Sequence, residues 1–239
     1  MNKKNFIVTL MLLSLLIIAN ETLADQRSYV WTYEYITVEK GKAELETYFT
    51  LSTPDIGKIK ESMGAEHQVE LEVGMNDRFD FSVYQRFSQS PNEQLKYDGF
   101  ELRARYKLVE KGKLFIDPLI YAEYIGKPNF SKHVIELKLI LAKDIGRLNI
   151  SANPIMEIAS GEETEMEMEY AVGINYKISN LLKVGIEGKG SEYAHYIGPV
   201  ISHGKDNLWV TLGSAFKIAG DENVGSEFQV RMIMGVVIN

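Results

Sequence analysis

The chain has 239 residues, with 26 Lys and Arg against 33 Asp and Glu, a formal net charge of −7 and no cysteine. The missing thiols exclude a disulfide framework, a thiolate metal site and a lipid-modified cysteine, and the acidic balance argues against nucleic acid as a partner. The mean hydropathy is −0.13, and beyond the first 24 positions no run of about 18 apolar residues marks a membrane helix; a membrane β-barrel has the same look, because half of each strand faces lumen or water.

Residues 1–24 read as a cleaved signal peptide. Lys3 and Lys4 give a basic start, Phe6 to Ile18 is almost unbroken apolar chain, and Thr22-Leu23-Ala24 ends it with small residues at the positions a signal peptidase reads. A retained anchor is the weaker reading, because the apolar run is short for a bilayer. The mature chain is expected to begin at Asp25.

In residues 25–41 the aromatic residues Tyr29, Trp31, Tyr33 and Tyr35 alternate. From residue 42 to the end, apolar and polar side chains alternate at period two in about twelve runs, near 42–52, 65–75, 79–89, 97–109, 114–125, 132–142, 148–159, 164–178, 182–190, 195–203, 208–219 and 226–238. The clearest run sets Met166, Met168, Tyr170, Val172, Ile174 and Tyr176 against Glu165, Glu167, Glu169, Ala171, Gly173 and Asn175. Successive strand side chains point to opposite faces, so one face is apolar and the other polar. Runs of this length are long for a soluble sandwich and suit a tilted bilayer crossing. The expected fold is all-β: a membrane-spanning, antiparallel, up-and-down β-barrel of about twelve strands over residues 42–239.

Residues 25–41 are then an aromatic segment on the periplasmic side, at the barrel rim or tucked into its mouth, because a thirteenth strand would give an odd count. The alternative is an interfacial aromatic girdle, joined by Tyr48, Phe100, Tyr106, Tyr124, Tyr176, Tyr193 and Trp209. Residues 76–78, 110–113, 144–147, 179–181 and 204–207 read as tight hairpin turns rich in Gly, Asn and Asp. The alternate connections, near 54–64, 90–96, 127–131 and 220–225, are mostly longer. Pro118 and Pro154 fall inside strands and are expected to mark bulges or kinks.

The chain thus resembles bacterial outer-membrane β-barrels of the small, porin-like kind. The opening Val38-Glu39-Lys40-Gly41-Lys42-Ala43-Glu44-Leu45-Glu46 is similar to the start of the first strand in that family. One departure is the C-terminus, Gly235-Val236-Val237-Ile238-Asn239, where such barrels commonly end on an aromatic residue read by the insertion machinery. The resemblance implies an outer-membrane location, contact with outer-membrane lipid and lipopolysaccharide, insertion by that machinery, passage of small polar solutes, and no cofactor.

With apolar stripes facing lipid, the lumen receives charges of both signs. Folding back around Pro91 to Gln94 sets Arg86 opposite Glu101 and Asp80 opposite Lys107, and the next turn brings Asp117 near Arg105 and Lys107. Such pairs stabilise by about 0.2–1 kcal/mol each and would fill a narrow barrel. The functional reading places Arg86, Arg103, Arg105 and Lys107 across a water-filled lumen from Glu165, Glu167 and Glu169, as fixed charges that select solutes. A porin-like channel is therefore expected, with a closed structural or surface-binding barrel as the alternative. A lipid hydrolase ranks last: Ser202-His203 and Ser131-Lys132-His133 are the candidate pairs, adjacent strand residues face opposite ways, and no acid is placed to orient either imidazole. No His pair has metal-ligand spacing.

Overall fold

The computed structural model describes residues 27–161, 163–205 and 207–238; the expected signal peptide, residues 1–24, lies outside the described residues. The fold is a closed antiparallel barrel. Its strands are β1 (Ala43–Thr53), β2 (Gly64–Asn76), β3 (Phe79–Gln89), β4 (Lys96–Lys107), β5 (Asp117–Gly126), β6 (His133–Ile145), β7 (Leu148–Ser160), β8 (Thr164–Lys177), β9 (Leu182–Ser191), β10 (Ala194–Lys205), β11 (Leu208–Gly220) and β12 (Phe228–Ile238). Each strand pairs with its sequence neighbour, and β1 closes on β12 from Ala43↔Ile238 to Thr53↔Phe228. Closure leaves no strand edge without hydrogen bonds, the condition for a sheet in hydrocarbon. The non-aromatic C-terminal residues Val236, Val237 and Ile238 belong to this seam.

Alternation sets the two faces. On β8, Met166 and Met168 are 64% and 59% exposed to the outside, whereas Ala171 is 2% exposed on the lumen side. The outward residues Leu137, Leu139, Val172, Ile174, Ile201 and Leu212 continue the apolar belt around neighbouring strands. Strands of 10 to 14 residues, tilted as barrels require, cover a hydrocarbon layer of about 25 Å.

The barrel has a near end, carrying both strand termini Ala43 and Ile238, and a far end. The longest far-end connection, between β1 and β2, contains a 3-10 turn (Ile56–Lys58) and an α-helical turn (Ile59–Ser62), capped where Gly57 N donates to Asp55 Oδ1 at 2.8 Å. One expected tight turn is corrected. The β4–β5 connection runs over residues 108–116, because Leu114, Phe115 and Ile116 read as strand by composition but stay outside the ladder as an exposed apolar rim, with Phe115 84% exposed. The prolines also behave differently from expectation. Pro118 pairs with Leu141 and Pro154 with Tyr170 without a register shift; the register instead shifts at Gly74/Asn76, Arg86/Phe87 and His195/Tyr196.

Residues 27–42 form no strand. Tyr29, Tyr33 and Tyr35 are buried inside the barrel rather than set in a lipid-facing girdle, as are Tyr48 and Trp209; Tyr106, Tyr176 and Tyr193 do face outward.

Candidate functional site

An eight-stranded barrel is just filled by its own side chains, and twelve strands leave space. Here the N-terminal segment takes up that space. Ser28 donates from its backbone N and its Oγ to the two carboxylate oxygens of Glu34, both at 2.7 Å, so residues 28–34 close into a loop with Trp31 at its tip.

An irregular backbone at membrane depth needs partners for its N–H and C=O groups. The barrel wall supplies them. Glu187 on β9 accepts from Val30 N at 2.6 Å and from Trp31 N at 3.1 Å. Asn153 on β7 accepts from Tyr33 N at 2.6 Å and donates to Tyr33 O at 3.1 Å. Asp80 accepts from Val38 N at 3.0 Å, and Ser202 and Thr211 each donate to the Arg27 carbonyl at 2.6 Å. Two apolar clusters seal the contact: Tyr29 and Val30 pack with Tyr48, Tyr84, Val200, Trp209 and Ile233, and Tyr33 and Tyr35 pack with Leu119, Tyr121, Ile140 and Ala142. Small residues make the room, since a Cβ on Gly173 would strike the Tyr29 ring and one on Gly213 would strike Val30.

The charged lumen residues sort into a tied group and an open group. Asp80 faces Arg105 rather than the expected Lys107, and Arg86 faces Gly99 rather than Glu101, because the hairpin pairs Ser88 with Lys96 and, past a one-residue bulge at Asp98 beside Gly99 (φ +136°), settles two residues from the expected register. Arg105 grips Asp80 through Nε at 3.0 Å and Nη2 at 2.6 Å and also reaches Glu72. Arg103 pairs with Glu72 at 2.5 Å and with Glu70, and its guanidinium lies among the rings of Tyr33, Tyr84 and Tyr121 at 5.7, 5.2 and 5.8 Å. The oxygens of Glu46, Glu70 and Glu72 gather within 4.8 Å of one another, but the arginines and the Tyr48 hydroxyl, which donates to Glu70 at 2.7 Å, already occupy them. Arg86 pairs with Glu101 at 3.1 Å. Lys107 sits 5.7 Å from the Tyr35 ring centroid. Asp117 is not beside Arg105: Lys107 opposes Leu119, and Asp117 instead accepts from Gly112 N at 2.6 Å and holds the 108–116 connection.

Glu165, Glu167 and Glu169 lie on β8, four strands round the barrel from Arg103 and Arg105, and the N-terminal loop stands in the lumen between them. They extend a row that alternation alone does not reveal. Glu123 opposes Glu136, Glu136 opposes Glu157, and Glu157 opposes Glu167 across consecutive strands. Like charges directly opposite one another are destabilising, so the far half of the lumen carries a concentrated negative wall relieved by Lys138, which pairs with Glu136 at 2.8 Å.

Cavities lie on either side of the loop. The far-end cavity, about 250 Å³, is lined by Trp31, Arg86, Glu101, Lys138, Lys189 and Arg231 among others. The near-end one, about 270 Å³, is bordered by Glu34, Lys111, Lys143, Arg147, Lys177 and Lys183. Between them, Arg27, Tyr33, Glu34, Glu72, Arg103 and Arg105 surround a void of about 10 Å³, the room of roughly one water. The Ser–His candidates do not converge: Ser202 faces the lumen and bonds to the Arg27 carbonyl, His203 faces outward, and His133 is bonded to the Tyr124 hydroxyl at 2.6 Å.

No family model and no curated protein matches the chain. Among solved structures, an outer membrane channel from Pseudomonas putida F1 superimposes with a TM-score of 0.61 at 13% identity, over 88% of this chain and 100% of that one. The KdgM porin gives 0.56 at 12% identity over 82% and 98%, and the NanC porin 0.53 at 8% identity over 82% and 100%. At these identities the likeness is one of architecture: the chain has the barrel fold of solved outer-membrane channels and porins.

Proposed function

We propose that the protein is an outer-membrane, porin-like channel for small polar or charged solutes, with the N-terminal loop setting its narrowest point. The observation that carries this reading is the pair of charge-lined cavities, one at each end, separated by the N-terminal loop packed against the wall side chains Glu72, Arg103 and Arg105. An apolar belt faces lipid and lipopolysaccharide, both strand termini lie on the periplasmic side, and the chain reaches the membrane through an N-terminal signal peptide and the barrel-insertion machinery.

Selectivity on this reading comes from the open carboxylates at the far mouth, Glu157, Glu165, Glu167 and Glu169, which concentrate cations and cationic groups. Arg103 and Arg105 hold the wall together. The void of about 10 Å³ favours a second reading, a barrel whose lumen stays shut in a structural role. Swelling of protein-loaded liposomes in small polar solutes separates the two: graded, size-limited swelling supports the channel, and rates equal to protein-free vesicles support the shut barrel.

A further inference from the structure

Two cations stand over the Trp31 indole ring in the far-end cavity. Lys189 Nζ stands 4.6 Å from the Trp31 ring centroid, and the Arg231 guanidinium carbon stands 5.6 Å from it. Arg231 spends Nε on the Thr50 hydroxyl at 2.8 Å and makes a long contact to the Val30 carbonyl at 3.5 Å, and Glu66, which opposes Thr50 on β2, acts on it without forming an ion pair. Of the other cations lining the cavity, Arg86 and Lys138 are paired with Glu101 and Glu136 and Arg27 donates to the Tyr48 hydroxyl at 3.0 Å, whereas neither Lys189 nor Arg231 has an ion-pair partner among the described residues. Two cations beside one ring, neither within ion-pairing distance of a carboxylate among the described residues, are the complement of a carboxylate.

An acid stands close by. Lys189 opposes Ala171 on β8, and Glu169 is the next lumen-facing residue of that strand toward the far end. Glu169 lines the same cavity and has no ion-pair partner among the described residues. A carboxylate site one strand step from a free carboxylate fits a ligand whose own carboxylate and ammonium are adjacent. The rest of the cavity, walled by Tyr48, Tyr121, Ile125 and Ile155, offers volume and apolar surface for a side chain.

We propose that this corner binds the head of an α-amino acid, its carboxylate held by Lys189 and Arg231 over the Trp31 ring and its ammonium by Glu169. The assignment rests on the reading of the lumen as a solute path, and it names the solute class. Because Trp31 is the loop tip, an occupied site also touches the element that narrows the lumen.

The test uses the full protein in detergent micelles, with calorimetry and tryptophan fluorescence, titrated with L-leucine, with 4-methylpentanoate (leucine without its amine) and with 3-methylbutylamine (leucine without its carboxylate). Leucine is expected to bind saturably, with both analogues about tenfold weaker or more. Lys189→Met and Arg231→Met should each weaken leucine by about tenfold while the heat-modifiable gel shift of the folded barrel is kept, and Glu169→Gln should erase the preference for leucine over 4-methylpentanoate. No saturable signal at millimolar leucine, equal binding of leucine and 4-methylpentanoate, or full affinity in Lys189→Met overturns the proposal. Because binding is read without conduction, a protein that conducts but does not bind refutes the site alone, and one that binds but does not conduct refutes the channel reading alone.

Discussion

Asn153 holds Tyr33 as a neighbouring strand would: its side-chain carbonyl accepts from Tyr33 N at 2.6 Å and its amide donates to Tyr33 O at 3.1 Å. One side chain thus replaces the two ladder bonds that an irregular segment lacks. Asn153→Leu keeps the size but leaves a buried N–H and C=O without partners, at about 1–3 kcal/mol each. Hydrogen exchange should then speed at the Tyr33 and Glu34 amides while the strand amides stay protected. Unchanged exchange at Tyr33 would show that the loop is held without Asn153.

Arg103 is 1% exposed and neutralises Glu70 and Glu72, which are equally buried. Arg103→Met should cost about 3–5 kcal/mol in urea unfolding from lipid vesicles, because it strands buried carboxylates. Replacing the exposed rim residue Glu165 by Gln should change stability by less than about 0.5 kcal/mol. Similar costs for the two would mean that the arginine network is solvated.

Two-faced strands give the sharpest test of topology. Leu139 faces outward and Lys138 faces the lumen beside Glu136. Leu139→Arg should lose about 2–4 kcal/mol by placing a charge in hydrocarbon, whereas Lys138→Arg keeps the ion pair and should fold as the parent does. Equal folding yields into vesicles for both would contradict the assignment of faces.

The opposed carboxylates Glu157 and Glu167 repel across the β7–β8 pair. The double change to Gln should leave stability equal or raise it by up to about 1 kcal/mol, and it should move the reversal potential under a salt gradient toward anions. A reversal potential that stays put would remove the far-mouth carboxylates from any role in selectivity.

The alternation of Met166, Met168 and Val172 with the β8 glutamates carries the fold, because period two is a property of the strand itself. Register is not. The β3–β4 hairpin sets Asp80 against Arg105 rather than Lys107, and alternation, which repeats every two residues, is blind to a shift of two. The apolar run Leu114-Phe115-Ile116 looks like strand although it lies in a connection, since an interfacial rim and a lipid-facing stripe call for the same residues. Glu187 and Asn153, which anchor the loop, gave no distinguishing signal in a lumen rich in polar groups. The inward glycines Gly173 and Gly213 were the available hint: side chains missing from the lumen wall mark where Tyr29 and Val30 lie.

The most direct test of a lumen narrowed by its own N-terminal loop is single-channel conductance in planar bilayers for the parent and for a variant lacking residues 27–36. The parent is expected to open small channels and the variant channels several-fold larger, because the void of about 10 Å³ then merges with the cavities of about 250 and 270 Å³ on either side. Equal conductance in a folded variant, or no conductance in either protein, would contradict it.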